Sequence, residues 1–206
     1  MNGNIAIIIA TLGIYLAIVI SPGPSFALIS RMAMAGEKRA AFGAAFGLAS
    51  GATIYAILTM VGLAVILAQI GWLARTIQLA GGLYLIWLGI QAWRGANRPL
   101  PTTDAADVSS FAQGWRHGFI MCLSNPKAIA FFIGIYAAAV PPQTALWAKG
   151  VILTGAFVIE IVWYGSMATL LSSRPIRGQY QKVRLYVERA MGLMLAAFGL
   201  KLLLGR

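Results

Sequence analysis

Residues 5–25 read IAIIIATLGIYLAIVISPGPS, and residues 118–140 read GFIMCLSNPKAIAFFIGIYAAAV. In both stretches a long apolar run is cut by proline, as Ser21-Pro22-Gly23-Pro24-Ser25 in the first and Ser124-Asn125-Pro126-Lys127 in the second. Proline carries no N–H and its ring clashes with the preceding turn, so a helix stops there. Asn125 is a good N-cap and Pro126 suits a first helical position, so a new helix can start at Lys127. Ser21 or Gly23, followed by Pro24, can restart the first helix in the same way. No basic residue precedes Arg31. The run therefore lacks the positive flank of a cleavable leader and is expected to remain as a first membrane helix.

The composition carries this reading to the whole chain. Of 206 residues, 60% are apolar and 10% charged, whereas soluble domains run near 45–50% and about 25%. At roughly 20 apolar residues per crossing, that is material for about six spans. A soluble globule, a disordered chain and a secreted disulfide scaffold are excluded. The spans fall at Ile5–Ile20 with a continuation Ser25–Ala35, then Ala40–Ala68, Leu73–Trp93, Gly118–Val140, Leu146–Ser172 and Tyr186–Leu204. Residues 95–115, with Pro99, Pro101, Asp104 and Asp107, form a solvated linker. It joins two three-helix halves, about 1–98 and 109–206, of a single transmembrane domain. The end of this stretch, Ser109–His117, is expected as a short interfacial helix carrying Phe111, Trp115 and Arg116.

Charge sets the orientation. The net charge is +11, but the basic residues cluster at the ends of apolar segments. Topology selection and anionic lipid explain that pattern better than nucleic acid does. With both termini outside, inner loops hold Arg31, Lys38, Arg39, Arg94, Arg98, Arg116, Arg174, Arg177, Lys182 and Arg184, and outer ends keep Arg75, Lys149, Lys201 and Arg206. Ten against four predicts both termini outside the cytoplasm. Trp72 and Trp147 at outer turns, and Trp93 and Trp115 beside the linker, agree as interfacial anchors. Cys122, the single cysteine, reads as a small residue on a packed helix.

The polar exceptions point to transport. Each proline break lies in the first span of its half, and three spans per half put the halves in opposite orientations. That is the pattern of an inverted-topology repeat with broken first and fourth helices, although two ordinary kinks would look the same. A restarted helix presents unpaired N–H groups and partial positive charge, for which a carboxylate is the natural ligand. Two formal charges, Lys127 and Glu160, fall well inside the hydrocarbon, where each costs roughly 2.5–3.5 kcal/mol on insertion scales. They are either a buried ion pair between two spans or a substrate and proton site, with Glu160 as the coupling carboxylate. Gly43, Gly47 and Gly51 form a ladder that lets another helix approach closely, and Gly81, Gly82 and Gly89 do the same in the third span. Tyr55, Gln78 and Tyr164 are polar enough to line a path or to hydrogen-bond within the bundle.

The order and spacing of these motifs resemble the lysine exporter (LysE/RhtB-type) family over nearly the whole chain. The matching elements are Ser21-Pro22-Gly23-Pro24, Gly36, the Gly43–Gly51 ladder, Gly81-Gly82-Leu83-Tyr84-Leu85-Ile86-Trp87-Leu88-Gly89, Gly118-Phe119, Ser124-Asn125-Pro126-Lys127, Phe131-Phe132, Trp163-Tyr164 and the Gly192–Gly199 ending. The resemblance implies an inner-membrane carrier that expels amino acids or close derivatives, exchanging them for protons, with no cofactor and no enzymatic activity. The candidate substrate contacts are Ser21, Pro22, Gly23, Pro24, Ser25, Tyr55, Asn125, Pro126, Lys127, Glu160 and Tyr164. One departure stands out: many members carry Asp just after the glycine equivalent to Gly51, and this chain has Ala52. Its partners are then a small solute, protons and lipid, with self-association left open. Among competing classes, a thiol–disulfide carrier needs a second cysteine. A metal exporter needs clusters of His, Cys or carboxylate, and His117 is the only histidine. A non-transporting membrane adaptor needs neither broken helices nor mid-membrane charges.

Overall fold

Prolines and glycines set the boundaries of the helices. The structure, a computed structural model, describes residues 2–21, 23–63, 108–136 and 139–173, together with helical positions between 76 and 94 and between 185 and 204. The first helix, α1, runs Asn2–Ile20 and α2 runs Pro24–Met34, with Pro24 in its first turn. Gly36 ends the pair at φ 91°, a left-handed conformation that favours glycine. There Glu37 N–H reaches back to Met32 O at 3.0 Å and closes the turn into α3, Lys38–Leu58. A π-helical stretch, Thr59–Leu63, follows.

A second broken helix follows among the described residues. Helix α4 runs Phe111–Ser124, α5 runs Pro126–Ala130, and a second π-helical stretch covers Phe131–Tyr136. Helix α6 runs Leu146–Leu170. A reciprocal capping box between Ser110 and Gln113 starts α4, and nothing between His117 and Gly118 interrupts it. The expected interfacial helix Ser109–His117 is therefore the first part of α4 itself, not a separate element. Among the described residues, Gly3–Ile20, Lys38–Val61 and Leu146–Leu170 are long and apolar enough to cross a membrane, and no strand occurs. Their outer faces are apolar as well: Ile9, Leu58 and Val162 are 68%, 60% and 60% exposed. Helices apolar all round belong in lipid.

Glycine decides the packing. A Cβ on Gly47 would lie 2.6 Å from Phe119 N, and one on Gly43 would press on the backbone of Phe111. In return, a Cβ on Gly114 or Gly118 would press on the backbone of Ala40 or Ala44. The pairs 43–111, 47–115 and 51–122 rise together, so α3 and α4 lie parallel with their backbones in contact. The end of α3 and the start of α4 are therefore at opposite ends of the bundle. Parallel packing recurs between α1 and α6, where Ala145 N–H meets Asn4 Oδ1, Tyr15 meets Glu160 and Tyr164 meets Val19. Phe46 against Phe157, with Phe42 under Gly165, sets α3 antiparallel to α6. The described positions of the expected third and sixth spans are helical and interlock antiparallel, Gly82 opposite Gly199 and Gly89 opposite Gly192 and Ala196. Gly81, Gln78, Tyr84, Pro22 and the linker up to residue 107 lie outside the described residues.

Candidate functional site

The two proline breaks meet inside the bundle. Asn125 Nδ2 donates to Ser25 Oγ at 3.2 Å, and Asn125 Oδ1 accepts from Lys127 N–H at 3.0 Å. One side chain thus caps α5 and ties it to the start of α2. The Lys127 ammonium extends across the gap and donates to Ile18 O and Ser21 O, both at 2.9 Å. These carbonyls are orphaned for a covalent reason in the case of Ile18: the residue four positions on is Pro22, which has no N–H to offer. Tyr164 Oη donates to the neighbouring Val19 O at 3.4 Å. The break at α4 is closed by the same logic. Lys127 N–H, which would otherwise serve Leu123 O, is taken by Asn125, and Tyr55 Oη fills Leu123 O at 2.8 Å.

Glu160 projects from α6 toward the same region and is 7% exposed. Its Oε1 accepts from Tyr15 Oη at 3.0 Å, and its Oε2 has no hydrogen-bond partner. Lys127 is 8% exposed, and among the described residues no ion pair joins it to Glu160. The buried ion-pair reading is thereby corrected. Lysine answers a helix end, glutamate answers a tyrosine, and one carboxylate oxygen is left over.

A cavity of about 40 Å³ lies between them. Its polar lining includes Ser21, Gly23, Ser25, Asn125, Lys127, Glu160 and Tyr164, and its apolar lining Leu48, Ala52, Cys122, Phe131 and Phe132. At about 10–15 Å³ per water this holds a few waters and no amino acid, so a solute of that size enters only when the lining moves. The aromatic wall is continuous. Tyr15 packs on Phe131 and Phe132, and Tyr136 packs on both phenylalanines.

Most of the residues singled out from sequence therefore converge. Tyr55 does not line the cavity: it stacks on Phe132 with ring centroids 5.6 Å apart, and its hydroxyl is committed to Leu123 O. Pro24 and Pro126 act through the backbone as first-turn residues of α2 and α5. Gly43, Gly47, Gly51 and Gly89 sit at helix contacts. Tyr15 was missed; its signal was a phenol inside an otherwise apolar run. Cys122 has a second role beside packing, because it lines the cavity under Gly51. No cluster of three or more His, Cys, Asp or Glu able to hold a metal occurs among the described residues.

The sequence profile of LysE type translocators matches residues 5–206. The chain is 28% identical over 196 residues to a threonine efflux protein of Escherichia coli (strain K12), covering 94% of this chain and 95% of that one. It is 31% identical over 133 residues to a homoserine/homoserine lactone efflux protein of Salmonella typhimurium, covering 64% of each. An uncharacterized membrane protein of Escherichia coli is 26% identical over 194 residues, covering 94% and 87%. No solved structure matches the chain.

Proposed function

This chain belongs to the LysE type translocator family, and we propose that it is a secondary transporter exporting amino acids or close derivatives across the cytoplasmic membrane in exchange for protons. The observation that carries the proposal is the unpartnered Oε2 of Glu160, buried beside a cavity that the Lys127 ammonium also borders. A zwitterion brings one carboxylate and one ammonium, and this cavity offers one group for each. Two of the three ammonium donors of Lys127 are used by Ile18 O and Ser21 O, which leaves one for a substrate carboxylate beside Gly23 and the uncapped first turn of α2. The substrate ammonium takes Glu160 Oε2. A proton competes for the same oxygen, and one carboxylate cannot hold both, so outward movement of substrate is coupled to inward movement of protons.

Lys127 and Glu160 are the charged members of the lining, and Leu48, Ala52, Cys122 and Phe132 are among its apolar ones. A third charged group would have no partner there, so the substrate side chain is uncharged. The efflux of threonine and of homoserine named for two relatives fits this restriction. Six spans in two inverted three-helix halves, with both termini outside, complete the reading. Its support is the parallel course of α3 and α4 together with the inner excess of basic residues. Counterflow in proteoliposomes loaded with unlabelled solute tests the function. Labelled threonine or homoserine should accumulate, and labelled lysine should not. Absence of counterflow for the whole amino-acid panel rejects amino-acid export.

A further inference from the structure

The end of α1 is built like a cation site. Its last turn leaves carbonyl oxygens without helical donors, because Pro22 and Pro24 remove the N–H groups that Ile18 O and Ile20 O would otherwise use. The same end carries the partial negative charge of the helix dipole. Broken helix ends of this kind coordinate small cations in membrane carriers, through carbonyls that no N–H fills. Here two of the carbonyl oxygens, Ile18 O and Ser21 O, converge on one point at 2.9 Å each. That point is occupied by Lys127 Nζ, which has crossed from the other break and has no carboxylate partner among the described residues.

We propose that the broken end of α1 is a monovalent-cation seat and that the Lys127 ammonium is its resident, covalently tethered cation. The inference stands apart from the export reading, since it concerns what holds the break together, whatever passes through it. In this seat Lys127 has a positioning role beside its third donor: it fixes the bend between α1 and α2 and so fixes where Gly23 and Ser25 border the cavity. A chain that carries its own cation has no need of sodium at this place. Removal of the side chain beyond Cβ leaves a vacancy with the shape and charge of n-propylammonium, the free counterpart of the lost Cγ–Nζ segment.

The test is thermal unfolding of the purified Lys127→Ala variant in detergent, with ionic strength held constant by choline chloride. Propylammonium at ten times its dissociation constant should raise the variant's Tm by about 3–6 °C. Tetramethylammonium, which has charge but no N–H, should not raise it. The wild type should respond to neither, nor to exchange of sodium for choline. No rise in the variant, or an equal rise with tetramethylammonium or in the wild type, overturns the proposal. Should Lys127→Ala fail to insert, the double variant Lys127→Ala, Pro22→Ala returns an N–H within helical reach of Ile18 O and should be recovered folded. Failure to recover either variant also overturns it.

Discussion

Replacing Gly23 by alanine adds one methyl group at the most informative point of the site. Gly23 is extended, with φ −179° and ψ −171°, a conformation open to any residue, so the backbone needs no glycine. The new Cβ would lie 3.5 Å from both Lys127 Cδ and Lys127 Nζ, an ordinary contact that displaces nothing. Folding should be unharmed, and the smaller entropy of the unfolded chain favours the variant by about 0.4–1 kcal/mol. The methyl does, however, stand 3.5 Å from an ammonium that gives two of its hydrogens to Ile18 O and Ser21 O and keeps one for a ligand. A lost hydrogen bond to a charged group costs about 1.5–3 kcal/mol, which is roughly a 10- to 150-fold rise in apparent KM. The assay is initial-rate efflux of labelled threonine or homoserine from proteoliposomes, with Tm measured on the same preparation. An unchanged KM with an intact Tm refutes the placement of the carboxylate. A steep loss of Tm refutes the geometry from which the placement was argued.

Gly47→Ala puts a Cβ 2.6 Å from Phe119 N, where only helix separation can relieve it. It should cost about 1–3 kcal/mol and lower Tm, while Gly150→Ala, which meets nothing within 4 Å, should not. Asn125→Ala removes both the cap on Lys127 N–H and the bond to Ser25 Oγ. A loss of about 1–2 kcal/mol in thermal or denaturant unfolding is expected. Reporter fusions after Trp93 and after Arg206 should report inside and outside respectively, and a cytoplasmic C-terminus contradicts the topology.

What the sequence made legible was local. Proline at positions 22, 24 and 126 and asparagine at 125 obey rules that span four residues, so both breaks and their restarts are readable from the chain alone. The glycine ladder on α3 is likewise readable as a face for close approach, but its counterpart Gly114–Gly118 straddles the expected division between interfacial helix and span. The signal against that division was present in Ser110 and Gln113, three apart, which is the spacing of a capping box. The partners of Lys127 and Glu160 were of another kind. Opposite charges invite pairing, yet Lys127 lies 109 and 106 positions from the carbonyls it serves, and Glu160 lies 145 positions from Tyr15. Nothing in a one-dimensional pattern ranks a backbone carbonyl above a carboxylate as the partner of a lysine. The missing N–H of Pro22 was the clue, and its meaning depended on which helix end α5 came to face.

Sharing of Glu160 Oε2 in turn by substrate and proton is what couples export to proton entry in the proposed cycle. Glu160→Gln keeps the shape of the side chain and an oxygen for Tyr15 Oη, so the variant should insert and keep a Tm near that of the wild type. Efflux of preloaded labelled threonine or homoserine from proteoliposomes, with and without an imposed inward proton gradient, measures the sharing directly. The gradient should accelerate efflux by the wild type and leave the variant's residual efflux unchanged. A Glu160→Gln variant that exports at the wild-type rate and responds equally to the gradient would contradict it.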